Sequence, residues 1–405
     1  MRKDIKIGIT VFMLAAVTGC GTLKTAEQPE KESAVILTVS LPEAEWSGYT
    51  EGLTALYQKT HPEIQSIEWN LVDRSMYSDL LNVSVASQDI PDIISVDYGD
   101  SLKLWEEQLI PLEESQYNQI FSEKALEKGK RNSHLYSVPI AVEARGIIYN
   151  KKLLRKAGIV QLPETKQEFQ ELCQKLDKEE IKPIMNHYKE TLLTTTSQLL
   201  WVQMGQEDRE KSLNALADFL DLTLLYGNHN ALTTDRDTAR NYFFIERYAM
   251  LNNEGTWLVP VLRKSGADLE EQAAIGPIPL YEEADKNKLP IEVLTLSVTK
   301  SSQHPEEAQE FLTWLAASEE AREYLESKMG ILSASGMKDE KTENLSQIAA
   351  QTKRAVLEGK VFYDPSVEIP EELKEKNGEI WGRYLTGELD REQAVAEVQS
   401  LWRNQ

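Results

Sequence analysis

The sequence predicts an α/β protein made of two lobes. In the first hundred residues, strand-like segments alternate with helical segments of about 10–15 residues, which is typical of βαβ units and a mostly parallel sheet. The chain has 405 residues, 41% of them hydrophobic, whereas a single hydrophobic core stops growing at roughly 250–300 residues. The strand-like stretch 136–150 carries Glu143 and Arg145 on one face, since alternate residues of a strand share a face. We therefore expect two cores and one strand with a carboxylate beside a guanidinium.

The first twenty residues read as a targeting segment. Arg2, Lys3 and Lys6 form a positive start, and the apolar run 7–17 is shorter than the roughly 20 residues that span a bilayer. The run ends at Cys20 and resembles a bacterial lipobox, in which this cysteine receives a lipid. The resemblance implies that residues 1–19 are a signal peptide and that Cys20 anchors the chain on the extracellular face of the cell membrane, as in a Gram-positive bacterium.

Hydrophobic patterning and turn residues predict the remaining elements. Residues 20–33 are polar and charged and read as a flexible tether after the lipidated cysteine. We predict strands at 35–41, 64–72, 93–96, 138–149, 181–185, 248–251, 274–278 and 293–298. We predict helices at 50–57, 76–86, 101–108, 151–157, 163–176, 191–204, 211–225, 237–245 and 305–325, and a turn at 252–257.

Charge and cysteine content exclude several classes of function. The formal net charge of -22 argues against nucleic acid as a partner, because phosphate binding needs clustered Lys and Arg. Cys173 is the other cysteine of the chain, so no internal disulfide forms if Cys20 is acylated. Motifs of hydrolases and P-loop proteins and metal-binding Cys/His clusters are absent from the sequence. The sequence therefore predicts no cofactor, no metal and no catalysis.

Six short segments in a fixed order carry a resemblance to a known family. They are 91–93 (Pro-Asp-Ile), 139–143 with 148–151, 163–169 (Pro-x-Thr-x-x-Glu-Phe), 249–250 with 255–257 (Ala-Met, then Gly-x-Trp), 308–315 (Ala-x-x-Phe-Leu-x-Trp-Leu) and 385–387 (Leu-x-Gly). Together they resemble the extracellular solute-binding proteins of family 1, the lipoprotein receptors of ABC importers. The resemblance covers about residues 35–403.

The resemblance implies a two-lobe, periplasmic-binding-protein-like type II fold with a hinge and a ligand cleft between the lobes. It places lobe one at 34–143 plus 294–335 and lobe two at 144–293 plus 340–405. The crossings between lobes fall near 142–146, 291–295 and 332–342. It also implies a monomer that takes a carbohydrate, in particular an oligosaccharide, and passes it to the transmembrane permease subunits of an ABC importer.

Aromatic rings and polar groups at predicted strand ends give the candidate ligand site, because sugars offer apolar ring faces and a belt of hydroxyls. The resemblance places Trp257 against a sugar ring and Glu143 against sugar hydroxyls. The other candidates are Trp46, Asp97, Tyr98, Arg145 and Tyr188. For each, a structural role is the competing interpretation: a core aromatic, a surface cap or an ion pair. Arg145 either clamps Glu143 or recognises an acidic group of the ligand.

Two alternatives stay open at the level of sequence. The same fold can bind a non-sugar or anionic solute, such as a uronic acid, a polyamine or a glycerol phosphate. A secreted carbohydrate-active enzyme is the more remote alternative, because chance pairs of carboxylates are inevitable among 66 acidic residues.

Overall fold

The computed structural model describes residues 34–96, 100–189, 191–192, 196, 209–364 and 369–403. Strands and helices alternate along the chain. The strands are Val35–Leu41 (β1), Ile64–Leu71 (β2), Ile93–Ser95 (β3), Lys130–Arg131 (β4), His134–Leu135 (β5), Val138–Asn150 (β6), Lys182–Met185 (β7), Tyr248–Gly255 (β8), Ala273–Gly276 (β9), Leu289–Val298 (β10), Leu332–Ser333 (β11) and Val361–Tyr363 (β12).

The helices of the same ranges are mostly short. They are Thr50–Gln58 (α1), Arg74–Ser87 (α2), Asp100–Trp105 (α3), Glu123–Glu127 (α4), Lys151–Lys156 (α5), Lys166–Lys178 (α6), Arg209–Tyr226 (α7), Arg236–Phe244 (α8), Leu258–Ser265 (α9), Ala267–Gln272 (α10), Pro305–Ala317 (α11), Glu319–Glu323 (α12), Gln347–Leu357 (α13), Glu371–Leu385 (α14) and Arg391–Trp402 (α15). No helix within the described ranges is both long and apolar enough to cross a membrane.

One sheet of ten strands organises the molecule, in the order β2-β1-β3-β10-β6-β8-β7 with β9, β11 and β12 attached at its sides. The pairs β1–β2, β1–β3, β7–β8 and β10–β12 are parallel. Strand β6 runs antiparallel to β8, β9, β10 and β11, and β3 runs antiparallel to β10. The expectation of a mostly parallel sheet was therefore wrong: the sheet is mixed, because β10 runs antiparallel to β3 in one half and β6 runs antiparallel to β8 and β9 in the other.

Strand β6 joins the two halves of this sheet. Its first part, up to Ala144, pairs with β10, and its second part, from Arg145, pairs with β8 and β9. Twelve of its 13 residues are buried, and Arg145 is the partly exposed one. A strand covered on both faces is typically a continuous apolar run. The charged residues Glu143 and Arg145 interrupt this run at the point where the partner strand changes from β10 to β8.

Local sequence signals explain several element boundaries. Thr165 and Glu168 form a capping box at the start of α6: the Thr165 hydroxyl accepts from the Glu168 N–H, and the Glu168 carboxylate accepts from the Thr165 N–H. The side chain of Asn150 caps α5 directly after β6. The predicted long helix 305–325 is interrupted at Ser318, whose backbone is extended and whose side chain caps α12.

Apolar side chains form several clusters, of which the largest extends over both halves of the sheet and includes Leu251 of β8 and Ile275 of β9. The largest contains β1, β10 and α11 residues, with Leu37, Leu296 and Phe311 fully buried. A second contains α6 and the ends of β6 and β8, including Phe169 and Cys173. A third packs α7 against the C-terminal helices α14 and α15 around Trp381. The burial of Cys173 raises the pKa of its thiol, so this cysteine is an inert core residue.

Candidate functional site

Charged side chains from both halves of the sheet meet at the centre of β6. Glu143 lies directly opposite Glu292 of β10 in the strand register. Two like charges in such a position repel each other, and Arg74, at the start of α2, lies against both. Its Nη2 is 3.1 Å from Glu143 Oε2 and its Nη1 is 3.4 Å from Glu292 Oε2. The same Nη2 donates to Glu43 Oε1 at 2.6 Å, just after β1.

Arg145 continues the network towards the second half of the sheet. Its Nη2 donates to Glu292 Oε1 at 2.6 Å, so its ionic partner is Glu292 and not the adjacent Glu143. Its guanidinium carbon lies 5.3 Å from the centre of the Trp257 ring, within the range of a cation–π contact. The indole Nε1 of Trp257 donates in turn to Glu254 Oε2 at 2.7 Å.

Glu254, the penultimate residue of β8, is fully buried. Arg240 of α8 holds it with two hydrogen bonds, from Nε to Oε1 at 2.8 Å and from Nη2 to Oε2 at 3.2 Å. Arg240 Nη2 also donates to Glu45 Oε1 at 3.0 Å. Since Glu45 lies two residues after Glu43, this series of contacts ends close to the residue at which it began. We call this set the carboxylate–arginine ring; its members are Glu43, Arg74, Glu143, Glu292, Arg145, Trp257, Glu254, Arg240 and Glu45.

Four carboxyls of the ring, Glu43, Glu143, Glu254 and Glu292, differ in proton affinity. Burial raises the pKa of Glu143 to about 7 against the attraction of Arg74, and it raises the pKa of Glu43 well above its ordinary value, with Glu143 adding to the effect. Burial acts on Glu292 and Glu254 as well. In these two, neighbouring arginines (Arg145 and Arg74 for Glu292, chiefly Arg240 for Glu254) outweigh it and lower each pKa to about 2. The ring therefore holds two firmly ionised carboxylates and two that take up protons readily.

His187 lies beside the ring and stays neutral. Its Nε2 is 3.9 Å from Glu254 Oε1, and the residue is 1% exposed. Burial lowers its pKa to about 4. At neutral pH it adds no charge, so the arginines alone balance Glu254.

The structure brings three of the sequence-predicted residues together in the ring: Glu143, Arg145 and Trp257. Trp46 is 1% exposed and belongs to the largest apolar cluster. Tyr188 is 4% exposed, with its hydroxyl 2.7 Å from Thr223 Oγ1. Asp97, Tyr98 and Cys20 lie outside the described residues. That any of these residues contacts a ligand stays a prediction.

Sequence reasoning missed most of the ring. Glu43 and Glu45 follow β1, so position after a strand was an available signal for these two. Glu254 lies inside β8, three residues before Trp257. Arg74 begins a helix and Arg240 lies in the middle of one, and charged residues are ordinary at both places. The residues that sequence reasoning did not find as site members are Glu43, Glu45, Arg74, Arg240, Glu254 and Glu292.

One group elsewhere brings possible metal ligands together. Within the described ranges, ligand atoms of His61, Glu63 and Glu310 lie within 4.8 Å of one another. His61 follows α1 near the amino end of β1, whereas the ring lies beyond its carboxyl end. The His61 Nδ1 is already 3.1 Å from the Tyr57 carbonyl oxygen, and Glu310 is exposed. The ring itself combines arginines with carboxylates, which is not the donor set of a metal centre.

Gly255 positions the Trp257 ring. A Cβ at Gly255 would approach the Ala144 carbonyl oxygen too closely and would lie 2.5 Å from Trp257 Cζ3. We expect Gly255→Ala to displace the indole from Glu254 and to lower the free energy of unfolding by about 1–3 kcal/mol through overpacking. Chemical unfolding and tryptophan fluorescence measure both effects.

Gly382→Ala on α14 is the matched control for this substitution. A Cβ there meets its nearest atom at 3.8 Å, an ordinary contact. The replacement is expected to be neutral or to stabilise the helix by about 0.5–1 kcal/mol. Equal behaviour of the two alanine variants would contradict the positioning role of Gly255.

Two half-sheets that share crossing strands, with a polar cluster where they meet, define a two-lobe α/β binding protein. Residues 43–322 of the chain match the family described as "bacterial extracellular solute-binding protein". The chain belongs to this family, whose members are binding proteins. Two relatives are a multiple sugar-binding protein of Streptococcus mutans, 20% identical over 367 residues and 84% of each chain, and an arabinooligosaccharide-binding protein of Bacillus subtilis, 24% identical over 355 residues, 82% of this chain and 80% of the relative.

Solved structures show the same fold. Maltose-bound MalE3 of T. maritima superposes with a TM-score of 0.74 at 17% identity, over 91% of this chain and 99% of that one. The solute-binding protein RafE in complex with raffinose gives a TM-score of 0.71 at 18% identity, over the same shares of the two chains. The predicted two-lobe fold is thereby confirmed.

Proposed function

We propose that this protein captures a carbohydrate in the cleft between its lobes and delivers it to the permease of an ABC importer. The observation that carries the proposal is family membership together with two sugar-binding relatives that align over four fifths of the chain. The ring supports it with a partly exposed indole beside several carboxylates and guanidiniums, the groups that suit a sugar's faces and hydroxyls.

The lobes of this proposal are 34–143 plus 294–335 and 144–293 plus 340–405. With these boundaries, Arg240–Glu45 is a contact between lobes, and so is the 3.2 Å hydrogen bond from the Tyr49 hydroxyl to the Pro260 carbonyl. The structure then represents a closed arrangement, and opening the cleft separates these pairs. A ligand that contacts both lobes shifts the balance between open and closed forms towards the closed one.

The anchor and the partners follow from the same proposal. The protein is a monomer held outside the cell by a lipid on Cys20, and the closed form docks on the permease. An anionic ligand is the weaker alternative, because the ring contains five carboxyls and three guanidiniums and Arg145 is already bound to Glu292. Thermal shift against a panel of mono- and oligosaccharides tests the proposal, since a ligand at 100 times its Kd adds about 2.7 kcal/mol to stability.

Replacing Trp257 by Ala is expected to weaken binding of the saccharide found in that panel by about tenfold or more. Stacking of an aromatic ring is worth about 0.5–1.5 kcal/mol beyond the area it buries, and 1.4 kcal/mol corresponds to a factor of ten. Isothermal titration calorimetry measures the change. Trp257→Phe is the matched control, because it keeps a ring face while it removes the Nε1 donor to Glu254. Unchanged affinity in the alanine variant would place the ligand elsewhere.

A further inference from the structure

The carboxyls of the ring outnumber its cations. Five carboxyls face three guanidiniums, and the excess of two persists when Arg236 is counted with Asp73, its partner at 3.7 Å. In a closed cleft, uncompensated charge is costly. A ligand that binds here therefore has to compensate the excess negative charge of the ring.

The excess is concentrated at Glu43 and Glu143, both 2% exposed. Both accept from the same Nη2 of Arg74, at 2.6 and 3.1 Å. One guanidinium nitrogen thus serves two buried carboxyls, and burial raises the pKa of both, so the pair takes up a proton readily at mildly acidic pH. The other charged groups that act on this pair are Glu45 and Glu292, which are also acidic. The pair thus lacks one positive charge, which a proton supplies at mildly acidic pH.

We propose that the ligand is a carbohydrate that bears a protonated amine, and that its ammonium group binds at Glu43 and Glu143 in place of the carboxyl proton. This inference rests on the proposed function and names the chemical class of its ligand. On binding, the carboxyl proton leaves to solvent, the ammonium donates to both carboxylates, and no covalent bond changes.

The test is calorimetric titration of the full chain with three probes at mildly acidic pH: the glucosamine tetrasaccharide, its N-acetylated counterpart, and spermidine. We expect the amine-bearing tetrasaccharide to bind at least about tenfold more tightly than the acetylated one. We also expect its binding heat to depend on the ionisation enthalpy of the buffer, because a proton is released. In the variant Glu43→Gln/Glu143→Gln, the preference and the proton release should both disappear. Glu310→Gln, an exposed change on α11, should retain both.

Each outcome separates this inference from the function on which it rests. Equal binding of the two tetrasaccharides without proton release would contradict the proposal that the ligand bears an amine, and it would still support carbohydrate binding. If spermidine binds and neither tetrasaccharide does, the proposed carbohydrate function is wrong, and so is the inference that rests on it. The melting temperature of the double variant shows whether it is folded. A folded variant that binds no saccharide still places the ligand at this pair. A variant that keeps the preference of the wild type shows that the ammonium binds elsewhere.

Discussion

Replacing Arg240 by Met is expected to cost about 3–5 kcal/mol of the free energy of unfolding, the largest loss among single changes in the ring. Glu254 is fully buried, and Arg240 is its bidentate partner through Nε and Nη2. Methionine fills similar space and removes the charge, so the buried carboxylate keeps the hydrogen bond from the indole Nε1 of Trp257 and the more distant Arg236, whose Nε is 4.0 Å away. Urea titration at neutral pH measures the loss.

The pH dependence of that loss identifies its cause. The pKa of Glu254 is lowered to about 2 in the folded chain, below its ordinary 4.5. A lowered carboxyl pKa stabilises the fold above about pH 4.5, and this contribution disappears as the pH falls towards 2. Without Arg240, burial raises the pKa of Glu254 in the variant, so the difference between the wild type and the Met variant should be largest at high pH and shrink as the pH falls. A difference that does not change with pH would indicate lost packing instead of an uncompensated charge.

Two further variants serve as controls for Arg240→Met. Asp237→Asn removes another carboxylate near Arg240, at 3.9 Å and with an 89% exposed side chain, and should cost less than about 1 kcal/mol. Arg240→Met combined with Glu254→Met removes both buried charges and should recover most of the stability. If the double variant is as unstable as the single one, the ion pair is not the source of the effect.

Strand β6, which joins the two halves of the sheet, was predictable from sequence, because a long run of β-branched and aromatic residues favours a strand. The turn predicted at 252–257 was wrong, since β8 continues through Asn252, Asn253 and Glu254. Asn-Asn-Glu-Gly is turn chemistry locally, but here Glu254 and Gly255 pair with Gly146 and Arg145 of β6. Asn253 keeps a positive φ of 54° inside a bulge. Tertiary pairing decided against the local preference.

The ring was less predictable for a different reason. Trp257 and Glu143 stand in segments that resemble the family, whereas Arg74 is the first residue of a helix and Arg240 lies in the middle of one. No periodicity distinguishes an arginine that faces solvent from one that neutralises carboxylates on a strand more than a hundred residues away. Arg240 contacts Glu45 across 195 positions of the chain. Such pairs depend on how the two halves of the sheet meet, which only the assembled fold determines.

The cross-strand neighbours Glu143 and Glu292 should respond to amide substitution with opposite signs. Burial raises the pKa of Glu143 to about 7, from an ordinary 4.5. Folding therefore favours its protonated form, and this stabilisation is full below about pH 4.5 and is lost as the pH rises through 7. A glutamine side chain at this position keeps the shape of the protonated acid and has no proton to lose. We expect Glu143→Gln to match the wild type at low pH and to exceed its stability by on the order of 2–3 kcal/mol above pH 7.

Glu292 lies directly opposite and has the reverse dependence. Arg145 and Arg74 outweigh the effect of burial and lower the pKa of Glu292 to about 2, so the ionised form stabilises the fold at every pH above about 4.5. Glu292→Gln should therefore destabilise the protein at neutral pH and have less effect as the pH approaches 2. Melting temperatures of the wild type and both variants, recorded across this pH range, test the pair together. Curves that shift in the same direction would mean that Arg74 serves both carboxylates equally, and that Glu143 is as fully ionised as its neighbour.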